Sequence, residues 1–133
     1  MPALRTASVS SPIDRAYNGL RVLVTRYVPR GCRRTRFDVW MANLGPSEQL
    51  LKTFHAGKID WEEFGARYEA ELFEAAPIDQ HNPRIKNHGQ KFTLRLLKKL
   101  AQRQPVTLLC QCDEDQPHCH RHLLKKILDS SKI

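Results

Sequence analysis

No stretch of this 133-residue chain is apolar for long enough to cross a bilayer. Its longest apolar runs, such as VTLLC at 106–110, fall far short of the roughly 20 residues a spanning helix requires. No secretory leader is expected either: the opening residues 1–15 contain no apolar core and are interrupted by Pro2 and Pro12, and so read as mature protein. Without a leader, Cys32, Cys110, Cys112 and Cys119 are expected as free thiols, ligands or core residues in a reducing cytoplasm rather than as disulfides. Repeats and low-complexity tracts are absent, and so is any standard nucleic-acid motif or basic patch interleaved with aromatics. Acidic residues are in deficit, 14 against 22 Lys and Arg, and the resulting charge of +8 favours polyanionic partners: nucleic acid, nucleotides or phosphorylated metabolites. What is left is a chain of one domain's length, residues 1–133, whose apolar fraction of 41% suffices for one core.

Residues 20–28, LRVLVTRYV, are a β-branched apolar run between Asn18-Gly19 and Pro29, which predicts a buried strand. LRTASV before it predicts an edge strand within an N-terminal segment, 1–19. Phe37, Trp40, Met41 and Leu44 recur at helical spacing up to Gly45-Pro46, and Ser47 is placed to cap a short helix burying Leu50, Leu51 and Phe54. Asp60 with Glu63 opens the clearest helix, whose stripe is Trp61, Phe64, Tyr68, Leu72 and Ala75. Residues 77–91, with two prolines, a glycine and no period, read as a loop carrying His81 and His88. Phe92, Leu96, Leu97 and Leu100 mark another helix, VTLLC a second buried strand, and a last helix runs from about His118 to Asp129. This order predicts a single small α/β domain: a mostly parallel sheet flanked by helices, in a Rossmann-like or flavodoxin-like three-layer arrangement. Ligands of such folds sit beyond the carboxyl ends of the strands. Both chemically dense segments, RYVPRGCRRTR and CDEDQPHCHR, follow directly from a predicted strand.

Residues 110–122 hold three cysteines and three histidines, and four readings of that turn compete. A metal cage would draw on Cys110, Cys112, Cys119 and His120. Yet Cys110 and Cys112 point to opposite faces if the strand runs through both, and structural zinc turns use C-x₂₋₄-C spacing. No metal or other cofactor is therefore expected. A nucleophile needs a thiol near a base or a helix N-terminus, and Cys119 qualifies by opening a helix beside His120 and Arg121. The phosphatase-type spacing, Cys with Arg six places on, is absent: those places hold Gln116, His118, Lys125 and Asp38. An anion site would combine that helix start with Arg121 and with Arg26, Arg30, Arg33, Arg34 and Arg36, since Arg forks suit phosphate and carboxylate. Asp113, Glu114 and Asp115 oppose an anion there, and the plain alternative is a packed turn with the Arg run paired to this acidic run. Helix-face arithmetic from Leu123, Leu124 and Ile127 puts His120 in the buried arc and Cys119 at its edge.

RVLVTRYVPRG, LGPSEQL, FHAGKIDWEEFGARYEAEL and VTLLCQCDEDQPHCHRHLL, in that order, make the chain from about Arg21 to Leu128 resemble the YeaO-like family of bacterial proteins, domain of unknown function 488. The resemblance implies a compact α/β fold. It places the family signature on Arg26, Pro29, Arg30 and Gly31, and on Cys110, Cys119, His120 and Arg121. Relatives commonly carry Asp before the first of these arginines and an aromatic before the proline, where this chain has Thr25 and Val28. Cys112 lies outside the signature.

These readings lead to a cytoplasmic α/β protein that binds a phosphate-bearing or carboxylate small molecule at the strand edge. Arg26, Arg30 and Arg121 would hold the anion, with Cys119 and His120 available for nucleophilic attack or proton transfer. A nucleic-acid-binding module and a metal-binding or thiol redox-sensing protein are the alternatives, and no membrane partner is expected.

Overall fold

The computed structural model describes residues 4–74 and 90–130. Four strands, β1 (Leu4–Ser8), β2 (Leu20–Leu23), β3 (Val39–Trp40) and β4 (Val106–Cys110), form an all-parallel sheet in the order β1-β4-β2-β3. Five helices accompany it: α1 (Arg15–Asn18), α2 (Glu48–His55), α3 (Trp61–Leu72), α4 (Lys91–Arg103) and α5 (His120–Asp129). This is the small α/β fold that the alternation of strand and helix signals predicts. β4 is buried at every residue because it lies between β1 and β2, which explains why its sequence reads as a continuous apolar run. Among the described residues, no helix is long and apolar enough to cross a membrane.

Alternation along the strands sorts side chains to two faces. Val22, Val106 and Leu108 meet Leu50, Phe64, Tyr68, Leu72, Leu94, Leu97 and Leu124 from α2, α3, α4 and α5. Ala7, Leu23 and Leu109 turn the other way, onto Val28, Cys32 and Phe37. The second face is thus covered by α1 and the segment after β2 rather than by long helices. Arg21, fully buried there, donates to Asn18 Oδ1 at 2.7 Å and to the Arg36 carbonyl at 2.8 Å. Arg36 in turn donates to the carbonyls of Val9 and Ser11. Arg36 therefore braces the loop onto β1.

Two local readings change. The strand predicted over 20–28 ends at Leu23, although Val24 N–H still bonds the Leu109 carbonyl at 3.0 Å. The helical spacing from Phe37 to Leu44 yields β3 and a single 3-10 turn, Ala42–Leu44, with another, Arg34–Arg36, just before it. Its backbone joins the sheet edge instead, with Asp38 N–H and Met41 N–H each 2.8 Å from the carbonyls of Arg21 and Leu23. The caps follow the sequence: Ser47 accepts from Leu50 N–H at 3.1 Å and Asp60 from Glu63 N–H at 2.8 Å. α3 buries Phe64, Tyr68 and Leu72, while Ala75 and most of the loop at 77–91 lie outside the described residues. α4 buries Leu94 and Leu97 and leaves Phe92 and Leu96 exposed. α5 begins at His120, with Cys119 as its extended N-cap.

Candidate functional site

β2 and β4 are parallel neighbours, so their carboxyl ends coincide and the segments that follow them face one another. Between them lies a cavity of about 310 Å³. Arg26 and Arg30 enter it from the segment after β2, Cys110, Cys112, Cys119 and His120 from the turn between β4 and α5, and Leu51, Phe54 and Phe64 close it from α2 and α3. The Arg segment is seated by close backbone approach. A Cβ on Gly45 would lie 2.6 Å from Arg26 N, and Arg26 itself donates to the carbonyls of Gly45 at 2.6 Å and Pro46 at 3.2 Å. Arg30 is exposed and, among the described residues, makes no hydrogen bond or ion pair.

Cys110 ends β4 on the face of Val106 and Leu108, and its Sγ lies 3.0 Å from Cys119 Sγ. The strand stops there, so Cys112 is not carried to the opposite face; it lines the cavity, and its N–H approaches Cys110 Sγ at 3.4 Å. Three adjoining thiols cannot all ionise. The thiols of Cys110 and Cys119 hold Cys112 well below the ordinary thiol range, with the nearby charge of Arg121 helping. Cys110 is pushed up chiefly by its interaction with Cys112, and Cys119 is pushed far above the ordinary thiol range by Cys110 first, then by Cys112 and burial. The reactive form therefore concentrates on the half-buried thiol of the three.

His120 is buried, with Nε2 2.6 Å from the Val24 carbonyl and its ring edge-on to Tyr68. The carbonyl can only accept, so Nε2 carries the proton and Nδ1 is the free acceptor. Burial lowers the imidazole to about 4, leaving it neutral near pH 7. Donor atoms of Cys110, Cys119 and His120 lie within 4.8 Å of one another, the outline of a metal site. Sulfurs 3.0 Å apart fit zinc poorly, however, since with bonds of about 2.3 Å they would subtend only about 80° rather than a tetrahedral angle.

Arg121, grouped with the anion ligands on sequence grounds, is 1% exposed and does not line the cavity. It donates to the carbonyls of Cys112 at 3.3 Å, Asp113 at 2.9 Å and Glu114 at 3.1 Å, and so cinches the turn. The acidic run is turned elsewhere. Glu114 accepts from Ser8 N–H at 2.7 Å, and among the described residues no ion pair joins the run to the arginines after β2. His118 stacks on Trp61 at 4.7 Å, bracing the turn against α3. The sequence marks neither this stack nor the α2 wall, because both depend on elements far apart in the chain.

A family model described as "Active DUF488-N3 subclade" matches residues 4–132. The chain is 34% identical to the uncharacterized protein YeaO of Escherichia coli (strain K12) over 103 residues, which cover 76% of each chain. It is 35% identical over 77 residues to an uncharacterized protein of Mycobacterium tuberculosis (strain H37Rv), covering 56% of this chain and 64% of that one. No solved structure matches significantly.

Proposed function

We propose, from the premise that this chain belongs to the DUF488-N3 family, that it is a thiol-dependent enzyme acting on a small phosphate-bearing or carboxylate substrate. The observation that carries this reading is the single cavity lined both by the Cys110–Cys112–Cys119 cluster and by Arg26 and Arg30. A concave site that sets apolar side chains such as Leu51, Phe54 and Phe64 beside convergent polar groups is the usual build of a small-molecule site.

In this reading Arg30, aided by Arg26, takes the anionic group as a charge-assisted fork. The Cys112 thiolate attacks the electrophilic centre; the leaving group departs with the bonding pair and takes a proton from solvent. Cys119, the sequence candidate for nucleophile, is buried at the start of α5 with its thiol directed to Cys110. Neutral His120 fixes the start of α5 to the end of β2. Arg121 orders the turn that carries Cys112. Four free cysteines suit a reducing compartment such as the cytoplasm.

Calorimetric titration with small phosphate and carboxylate compounds tests the anion half. Arg30→Ala should weaken binding by about 1.5–3 kcal/mol, the worth of one charge-assisted contact, with circular dichroism unchanged. Equal affinity of parent and variant for every compound that binds would remove Arg30 from the site.

A further inference from the structure

We infer that Cys110 and Cys119 form a reversible disulfide when a hydroperoxide enters the cavity, with Cys112 as the entry thiol. The inference needs the thiol cluster alone and not the anion reading. Cys110 and Cys119 are fixed by different constraints, one as the last residue of the central strand and the other as the N-cap of α5, yet their sulfurs are 3.0 Å apart. A disulfide bond is about 2.05 Å, so closure needs a movement of only about 1 Å shared between two side chains. All three cysteines line the cavity, and Cys112, the only partly buried one of the three, is the one a small oxidant meets first. Cys32, the fourth cysteine, packs on the other face of the sheet and cannot take part.

Each step balances. The Cys112 thiolate attacks one peroxide oxygen and the O–O bond breaks; sulfur becomes a sulfenic acid, and the departing alkoxide or hydroxide takes a proton. Cys119 attacks that sulfur, forming the Cys112–Cys119 disulfide and releasing water. Cys110 then attacks Cys119 Sγ, expelling Cys112 as thiolate and leaving the Cys110–Cys119 bond. Two electrons have passed from two thiols to one peroxide. The last exchange runs in this direction because Cys110 and Cys119 Sγ already lie 3.0 Å apart, so the final bond is the one that the strand end and the helix cap hold ready. Reduction by an external dithiol restores all thiols. The oxidised protein thereby keeps its entry thiolate but loses the two S–H donors beside it, which couples the redox state of the cluster to the reactivity of Cys112.

The test uses the full chain, reduced, freed of reductant, exposed to hydrogen peroxide, quenched with an alkylating agent and digested without reduction for mass spectrometry. The inference expects a peptide pair joined through Cys110 and Cys119, loss of two of the four titratable thiols and their recovery with dithiothreitol. In Cys112→Ser the same pair should form at least about tenfold more slowly. No linked pair, a stable link through Cys112, or thiols shielded by a stoichiometric metal released by chelation would each overturn it. An unchanged rate in Cys112→Ser would overturn the relay. The readout requires no substrate, so disulfide formation with no anion affinity would sink only the proposed function, and the reverse pattern only this inference.

Discussion

His120 carries the clearest pH signature of any single residue. Its imidazole is held at about 4 by burial, against an ordinary value of 6.5. Between those values the unfolded chain binds the additional proton, so this contribution to stability is complete above about pH 6.5. It is lost as pH falls towards 4, by about 3 kcal/mol in all. Urea unfolding of the parent should therefore weaken over that window, and His120→Gln, less stable at pH 7, should show a flatter profile; parallel profiles would mean that His120 is not the buried titrating group. Arg121→Ala should cost at least about 3 kcal/mol, because two or more charge-assisted bonds from a buried guanidinium disappear together. Only part of this was legible in the sequence. Helix periodicity places His120 inward. Nothing local shows that Arg121 turns back on its own loop, since charge alone reads as surface. Cys112 was hidden by the assumption of a continuing strand, and it joins the other thiols only because β4 stops at Cys110.

Among the elements, α3 was read most fully: the Asp60 cap and the Phe64, Tyr68, Leu72 stripe are local signals at helical spacing. Asp60→Ala should cost about 1 kcal/mol in thermal or urea unfolding, a magnitude ordinary for a lost N-cap. β3 was misread because two residues on a sheet edge have no periodicity, and their pairing depends on carbonyls of β2 that lie 17 and 18 residues earlier in the chain. Gly45 ties that region to the site. Its φ is an ordinary −83°, so the demand for glycine comes from space alone: an added Cβ meets the backbone of Thr25 and Arg26. Gly45→Ala should lower stability by about 1–3 kcal/mol through overpacking and displace the Arg segment, weakening anion binding as well. Unchanged stability and binding would show that this segment is not held by that contact.

At the scale of the molecule, the parallel pairing of β2 with β4 accounts for the site, because it alone brings the Arg segment and the thiol turn to one edge. The charge of +8 raises the competing idea of a nucleic-acid surface. A surface neutralising several phosphates would lose affinity steeply with salt and accept long strands, whereas the cavity is sized for a small molecule. The most direct test of the central claim compares alkylation by iodoacetate, an anion, with alkylation by neutral iodoacetamide at pH 6, mapping the modified cysteine over time. A Cys112 thiolate beneath Arg26 and Arg30 should be modified first and should favour iodoacetate over iodoacetamide relative to a free thiol, and Arg30→Ala should erase that preference. Modification led by Cys32, or the same iodoacetate-to-iodoacetamide ratio in parent, Arg30→Ala and free thiol, would contradict the claim.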